Sequence, residues 1–207
     1  QPENIPVASQ VCIDDRAAVR GLAEHVIGLG HHEIALLTMR LGAERRAGDQ
    51  TAGVVTPDRL QQSHFHVQTE RIAGVREAMA AAGLDPDTLT VVESYEHLPA
   101  SGGAAAELAL QTNPRLTALM CTADVLALSA MDYLRAHGIY VPGQMTVTGF
   151  DGIPEALGRG LTTVAQPSLE KGKRAGRLLG HLPRDGRPVI DVLDTELVRG
   201  RTAGPPA

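Results

Sequence analysis

Short, continuously apolar runs recur along the chain and are separated by longer segments with helical spacing. Residues 34–37 form such a run, and residues 11–13 and 145–150 are similar runs rich in β-branched residues. Runs of this kind are typical of buried strands in a parallel sheet that is covered on both faces. The clearest helical spacing lies in residues 124–138, which end in a glycine suited to a helix terminus. We expect four residues on the buried face of this helix: Val125, Leu128, Met131 and Leu134.

Strands and helices alternate along almost the whole chain. The predicted order is β-α-β, a long loop, and then α-β-α-β-α-β-α-β-β. Alternation of this kind predicts an α/β fold with a mainly parallel sheet. Ligands of such sheets bind beyond the carboxyl ends of the strands. Three charged side chains are expected near that edge: Asp151 after the run 145–150, Asp124 at the start of the helix 124–138, and Arg71 on the helix after the long loop.

The segment 39–68 interrupts the alternation. It has no apolar period, is rich in Gly, Arg, Gln and Asp, and contains Pro57. A segment of this length without structure of its own is usually a functional loop or a disordered one. We therefore expect residues 39–68 to be mobile, and a lid at the mouth of a ligand site is one role open to them.

Composition and charge narrow the classes of function. The chain has 207 residues, of which 43% are hydrophobic, and a formal net charge of −5. An acidic chain without a basic stripe gives no electrostatic footprint for nucleic acid within its own residues. Every apolar run is shorter than the ~18 residues that a membrane-spanning helix needs. No membrane partner is therefore expected.

The sequence lacks the common motifs for catalysis, cofactors and metals. No G-x-G-x-x-G follows a predicted strand, and no G-x-S-x-G elbow is present. The pairs at residues 31–32 and 64–66 are the only histidine clusters, and neither has a Cys or His partner set at ligand spacing. We therefore interpret them as solvated loop histidines. The sequence predicts no enzyme, no catalytic residue, no cofactor and no metal site.

Five segments carry a resemblance to a known family. In chain order they read "DDRAAVRGLAEHVIGLGHHEIALLT", "ERIAGVREAMAAAGL", "LTALMCTADVLALSAMDYLRAHGIYVPGQMTVTGFDGIPEA", "LTTVAQPSLEKGKRAGRLL" and "TELVRGRTAGPP". Together they resemble the lactose-repressor (LacI/GalR) family of bacterial transcription regulators. They cover nearly the whole chain except residues 39–68, and their common order makes the match specific.

The resemblance implies a periplasmic-binding-protein-like fold, in which two Rossmann-like subdomains with parallel sheets enclose a ligand cleft. Residues 1–32 and 166–182 would belong to the N-terminal subdomain, and residues 33–161 and 189–207 to the C-terminal one. The N-terminal subdomain would be incomplete. The family's helix-turn-helix and the first elements of that subdomain would precede the chain.

The resemblance also implies ligand-binding residues. Asp151 falls on the family's cleft aspartate, and Arg71 falls on the arginine of its R-x-x-G motif. One would accept and the other donate hydrogen bonds to a ligand. A helix-capping role for Asp151 and a solvated position for Arg71 remain open.

Four further residues complete the candidate ligand site. His97 falls where some family members place a stacking aromatic residue. Gln166 matches a glutamine near the hinge, where a structural role is equally open. Phe150 precedes the cleft aspartate and is expected beneath or beside the ligand. Asp124 is the remaining half of the family's Asn-Asp pair.

The implied function is the effector-binding and dimerisation domain of a cytoplasmic DNA-binding transcriptional regulator. Operator DNA would be bound by the preceding helix-turn-helix, and residues 125–135 and 152–157 would form a homodimer interface. The effector would be a sugar, a polyol or a nucleobase-like compound. Ala123 and Gly152 replace polar residues of the family's pattern, which argues against a typical sugar. The alternative is a solute-binding protein of a sugar transporter, which shares the fold.

Overall fold

The computed structural model describes residues 9–43, 51–96, 98, 100–180 and 188–207. The strands within these ranges are β1 (Gln10–Ile13), β2 (Ile34–Thr38), β3 (Ala52–Val54), β4 (Thr90–Ser94), β5 (Ala118–Cys121), β6 (Thr146–Asp151), β7 (Thr162–Ala165), β8 (Ile190–Leu193) and β9 (Glu196–Val198). The α-helices are α1 (Asp15–Gly28), α2 (Pro57–Gln61), α3 (His66–Ala81), α4 (Ser101–Thr112), α5 (Asp124–Ala136), α6 (Pro154–Gly158) and α7 (Ser168–Gly180).

Seven strands form one sheet in the order β3-β4-β2-β5-β6-β7-β9. The five central strands are parallel, and β3 and β9 pair antiparallel at the two edges. Every residue of β2 and β5 is buried, as their continuous apolar runs predict. The predicted α/β fold with a mainly parallel sheet is confirmed.

Helices cover both faces of this sheet. α1 and α3 pack together over one face, and α4 and α5 pack together over the other. Gly74 of α3 lies so close to α1 that a Cβ atom there would collide with the backbone carbonyl of Arg16. The glycine of the R-x-x-G segment is therefore required by the close approach of two helices.

Strands β1 and β8 form a separate two-stranded parallel sheet, and α7 contacts β1. The subdomain boundary expected at residue 32 would place α1 in the same subdomain as β1, and so with this small sheet. In the structure, the apolar face of α1 is instead buried against α3 in the core of the large sheet. The buried residues of α1 are Val19, Leu22, Ala23 and Val26. The chain thus leaves the small sheet directly after β1, because the next element, α1, packs with the large sheet.

The segment 39–68 differs from the loop expected from the sequence. Its described part contains β3 and α2, and Leu41 is fully buried. Arg59 of α2 is also buried, and it pairs with buried Glu93 of β4. A strand of three residues and a helix of five are too short for a hydrophobic period to show them. Residues 44–50 lie outside the described ranges.

The buried face of α5 also differs from the expected one. Its apolar buried residues are Leu126, Ala127, Leu128, Ala130 and Leu134. Val125 is 52% exposed, so the face is rotated by about one residue from the predicted stripe. α5 packs on both β6 and α4, and two neighbours define its buried face better than a spacing rule does.

His31 is buried, although the sequence suggested a solvated histidine. Its Nε2 lies 2.7 Å from the carbonyl oxygen of Gly204, and its Nδ1 lies 2.8 Å from the hydroxyl of Thr117. A carbonyl only accepts, so Nε2 carries the proton and Nδ1 accepts from Thr117. Burial lowers the pKa of His31, the hydrogen bond to Gly204 opposes this, and the charge of His32 adds to it. The neutral ring thereby joins the C-terminal tail to the large sheet.

Acid is expected to weaken the fold through His31. Because its folded pKa lies below the unfolded value of 6.5, the unfolded chain binds the proton first. The stabilising contribution is present above about pH 6.5 and is lost as the pH falls through the lowered pKa. Urea unfolding of the protein and of His31→Gln between pH 7 and 5 measures this. The variant should lose less stability than the unmodified chain over that range, and exposed His137→Gln is the control. Equal pH dependence in all three proteins would contradict the prediction.

Candidate functional site

The carboxyl ends of β2, β5, β6 and β7 lie side by side, because these strands are neighbours and run parallel. Polar side chains occupy each of these ends and are joined by two residues of α3. We call this set the polar edge. Its members are Thr38, Thr122, Asp151 and Gln166 at the strand ends, with Gln68 and Arg71 from α3.

Hydrogen bonds connect the β2 and β5 ends of the polar edge. The hydroxyl of Thr38 donates to Oε1 of Gln68 at 2.9 Å, and the backbone N–H of Met39 donates to the hydroxyl of Thr122 at 3.2 Å. Gln68 lies three residues before Arg71, so both project from the same side of α3. The helix thereby supplies amide and guanidinium groups to one edge of the sheet.

Asp151 ends β6 in an unusual backbone conformation. Its φ is 121°, in the region that favours glycine, and Asp151 is the only non-glycine residue with positive φ in the described chain. Its Oδ1 accepts a hydrogen bond of 2.7 Å from the side-chain amide of Gln166. Burial raises the pKa of Asp151, while the charge of Arg71 and the amide of Gln166 act in the opposite direction. Strain of this kind is retained mostly where it positions a functional group.

Arg71 is buried and held by several partners, so the solvated alternative is wrong. Its Nε and Nη2 donate to Oδ1 of Asp15 at 2.8 and 2.6 Å, and its Nη1 donates to the carbonyl of Thr122. A guanidinium has five N–H groups, and these three contacts use three of them. The charge of Arg71 acts to lower the pKa of Asp151, and the shared role of the two residues in ligand binding stays a prediction.

Phe150 takes a different position from the expected one. It is fully buried, and the guanidinium carbon of Arg71 lies 3.6 Å from the centre of its ring. Phe150 therefore packs beneath Arg71 and not against open ligand space. A cation over an aromatic face is attracted by the ring quadrupole, so Phe150 positions the arginine.

Asp124 is also buried, which argues against direct ligand contact. Its Oδ1 accepts from the hydroxyl of Thr163 at 2.6 Å, and its Oδ2 accepts from the backbone N–H of Ile153 at 2.8 Å. Burial raises its pKa, and the hydrogen bonds oppose that rise. Gly149 leaves room for this carboxylate, because a Cβ there would collide with it. Asp124 thus fixes the connection after β6 that presents Asp151.

A cavity of about 550 Å³ opens beside Asp151. Gln166, Ser168 and Lys173 line it together with Asp151 and the connection between β6 and α6. The ammonium of Lys171 lies 3.5 Å from Oε1 of Gln166. Acidic, amide and hydroxyl groups thus face one space at the junction of β6 and α7, which suits a ligand with several polar groups.

Sequence reasoning missed several residues of the polar edge. Asp14 caps α1, and its neighbour Asp15 pairs with Arg71; the sequence pattern did not indicate this pair. Thr122 and Gln68 were not singled out. Gln68 lies three residues before Arg71, but it belongs to the segment 39–68 that was expected to be a loop, so the pattern gave no signal for it. His97 lies outside the described residues.

Neither a metal-binding cluster nor a membrane-spanning helix is present among the described residues. No group of three or more His, Cys, Asp or Glu side chains in those ranges could hold a metal ion. None of the described helices is both long enough and apolar enough to span a membrane.

Comparison with known proteins agrees with this architecture. Residues 23–203 match the periplasmic-binding-protein-like domain family. The HTH-type transcriptional regulator Rv3575c of Mycobacterium tuberculosis is 72% identical over 207 residues, which is 100% of this chain and 56% of that protein. A solved LacI-family transcriptional regulator from Corynebacterium glutamicum has a TM-score of 0.88 at 34% identity, over 98% of this chain and 59% of that one. The CelR–cellobiose complex has a TM-score of 0.73 at 28% identity, over 94% and 54% of the two chains.

The chain therefore belongs to the periplasmic-binding-protein-like domain family, in the form found in LacI-family transcriptional regulators. The resemblance seen in the sequence is confirmed. The chain spans a little over half the length of the curated regulators that it matches, 56% of the one from Mycobacterium tuberculosis and 57% of one from Mycolicibacterium smegmatis.

Proposed function

We propose that this chain is the effector-binding and dimerisation domain of a bacterial DNA-binding transcriptional regulator. The observation that carries the proposal is Asp151, held in a strained conformation at the carboxyl end of β6 and hydrogen-bonded to Gln166. Arg71 is close enough for its charge to lower the pKa of Asp151. Asp151 and Gln166 thus line one cavity at the edge where open α/β sheets bind ligands.

The groups at the polar edge favour a ligand with several hydrogen-bonding groups. The carboxylate of Asp151 accepts from hydroxyl or ring N–H groups, and the free N–H groups of Arg71 donate to oxygen or ring nitrogen. A sugar, a polyol or a nucleobase-like compound has this pattern. The cellobiose complex of CelR supports the first of these classes.

Ligand binding would act by shifting the relative position of two units. β1, β8 and α7 represent one unit, the large sheet represents the other, and we place the boundary between them after β1. Ser168 and Lys173 of α7 line the same cavity as Asp151 of the large sheet. A ligand that contacts both sides favours one arrangement over the other, and this difference in affinity shifts the population.

The regulator is favoured over the transporter protein, because the similar proteins reported above are transcriptional regulators. Operator DNA would be bound by a helix-turn-helix that the 207 residues do not contain, and the protein would act in the cytoplasm. The acidic net charge of −5 fits a domain that leaves DNA binding to another part of the protein.

A thermal-shift screen of sugars, polyols and nucleobases tests the proposal. A true effector should raise the unfolding midpoint in a concentration-dependent way, and it should change the affinity of the complete regulator for its operator. Stabilisation without any effect on operator binding would contradict the regulatory role.

The surface around α5 and α6 is proposed as a homodimer interface. Val125 of α5 is 52% exposed, Leu157 of α6 is 42% exposed, and Tyr140 after α5 is 74% exposed. Cavities of about 520 and 300 Å³ flank this surface. A two-fold interface brings the same apolar patch of two copies together.

Leu157→Glu is expected to convert the dimer to monomer, because it places a charge in the centre of the apolar patch. Sedimentation at micromolar concentration measures the change. Leu179→Glu is the matched control, since Leu179 of α7 is 81% exposed and lies on a different element. A monomeric unmodified protein, or a Leu157→Glu variant that stays dimeric, would refute this interface.

A further inference from the structure

A second cavity, of about 320 Å³, lies between the carboxyl end of β2 and the start of α3. Its described lining consists of residues 39–40 and 64–68. Gln68 belongs to this lining and to the polar edge, so the cavity adjoins the proposed effector site. It lies on the β2 side of Arg71, whereas the cavity beside Asp151 lies on the β6 side.

The ionisable side chains of this lining are all basic. Arg40, His64 and His66 are its ionisable side chains within the described residues, and none of the residues that line it there is acidic. The Nε atom of Arg40 is shielded from solvent and has no hydrogen-bond partner among the described residues. Buried donors are normally paired, and an unpaired guanidinium N–H is costly. The arrangement therefore provides a donor for which the described residues supply no acceptor.

The backbone adds to this preference for an anion. α3 begins at His66, its N-cap Phe65 makes no side-chain cap hydrogen bond, and its first turn contains no acidic residue. The start of a helix carries partial positive charge, which anions or acidic side chains normally balance. Glu70 lies one turn along the helix, 4.0 Å from Nδ1 of His66 and 3.9 Å from Arg16, so its charge is shared between the two.

The side-chain amide of Gln68 adds hydrogen-bond donors to this cavity. Its Oε1 already accepts from Thr38, which leaves its N–H groups as donors. Arg40, His66 and Gln68 therefore all contribute donors to the lining of this cavity. A ligand with only neutral hydroxyl groups would leave these donors in excess over acceptors, and it would not neutralise the charge of Arg40.

We propose that the effector carries an anionic group, either phosphate or carboxylate, which binds to Arg40, His64, His66 and the start of α3. The rest of the molecule then reaches along the polar edge to Asp151, which accepts hydrogen bonds from its hydroxyl or ring N–H groups. The inference rests on the proposed function, because it assigns the chemistry of the ligand for that same site.

Inorganic phosphate and acetate are the first probes, and they distinguish the two sources of negative charge. At least one of them should raise the unfolding midpoint of the protein, and Arg40→Gln should weaken that binding about tenfold or more. Arg40→Lys should retain much of the binding, because the positive charge remains. Arg115→Gln is the control, since Arg115 is 80% exposed and pairs with Glu33 at the surface. Unfolding midpoints without added anion show whether each variant is folded.

Paired compounds then separate this inference from the proposed function. Each neutral sugar or polyol is compared with its phosphate ester and its sugar acid, in the unmodified protein and in Arg40→Gln. The anionic member should bind at least about tenfold more tightly, and the variant should lose that preference. A neutral compound that binds equally well, with dependence on Asp151, overturns the inference and leaves the proposed function intact. Absence of binding by every compound would contradict both, and a preference that survives in Arg40→Gln would overturn the assigned residues.

Discussion

Replacing Glu93 by alanine is expected to lower the free energy of unfolding by about 3–5 kcal/mol. Arg59 is 8% exposed and Glu93 is 1% exposed, so the ion pair between them is shielded from water. Nε and Nη2 of Arg59 donate to the two carboxylate oxygens of Glu93 at 2.8 and 2.7 Å. Oε1 also accepts from the backbone N–H of Leu41 at 2.8 Å. Removal of the carboxylate takes away two hydrogen bonds of the buried Arg59 guanidinium and the acceptor for the backbone N–H of Leu41, and both losses are unfavourable.

Urea unfolding of Glu93→Ala measures the effect, with Glu107→Ala as the control because Glu107 is exposed on α4. The double variant Arg59→Met/Glu93→Leu should recover a large part of the loss, since apolar residues of similar volume can replace a buried ion pair. Such recovery would show that loss of the Glu93 carboxylate as a partner of Arg59, and not a change in the shape of the site, causes the instability. A loss below about 1 kcal/mol in Glu93→Ala, as is typical of an exposed ion pair, would contradict the burial argument.

Replacing Asp151 by alanine is expected to weaken effector binding about 10- to 150-fold, which corresponds to about 1.5–3 kcal/mol for a hydrogen bond to a charged group. The stability of the domain should change little, because alanine keeps the strained backbone and loses only the hydrogen bonds that the carboxylate accepts from Gln166 and from the backbone of Asp124. Calorimetric titration with the effector from the screen measures affinity, and thermal unfolding without ligand measures stability.

Two further variants of Asp151 separate charge from conformation. Asp151→Asn keeps the size and an acceptor oxygen, and asparagine tolerates positive φ, so it isolates the contribution of the charge. Asp151→Gly removes the carboxylate and relieves the strain, so it should bind poorly while its unfolding midpoint stays equal or rises. Unchanged affinity in Asp151→Ala would mean that this carboxylate only supports Gln166 and the connection after β6, and the site assignment would then be wrong.

The candidate site shows where sequence reasoning reached its limit. Asp151 and Arg71 were expected near each other, because strand order and the resemblance both place them at one edge, and in the structure the charge of Arg71 acts to lower the pKa of Asp151. Phe150 and Asp124 were also expected at the ligand. The structure buries both and uses them to hold Arg71 and the connection after β6. The type of residue at the end of a strand does not show whether its side chain faces the ligand or the protein core.

The sequence by itself determined the alternation of strands and helices, the mainly parallel sheet and the family. These follow from local periodicity and from ordered motifs, which each segment carries without reference to its neighbours. The tertiary structure alone decided that α1 packs with α3, that Arg59 and Glu93 pair across 34 residues of sequence, and that Arg71 binds Asp15. Those contacts depend on which elements become neighbours in space and on which polar groups lose water there. A buried charge needs a partner, and only the folded chain shows which residue provides it.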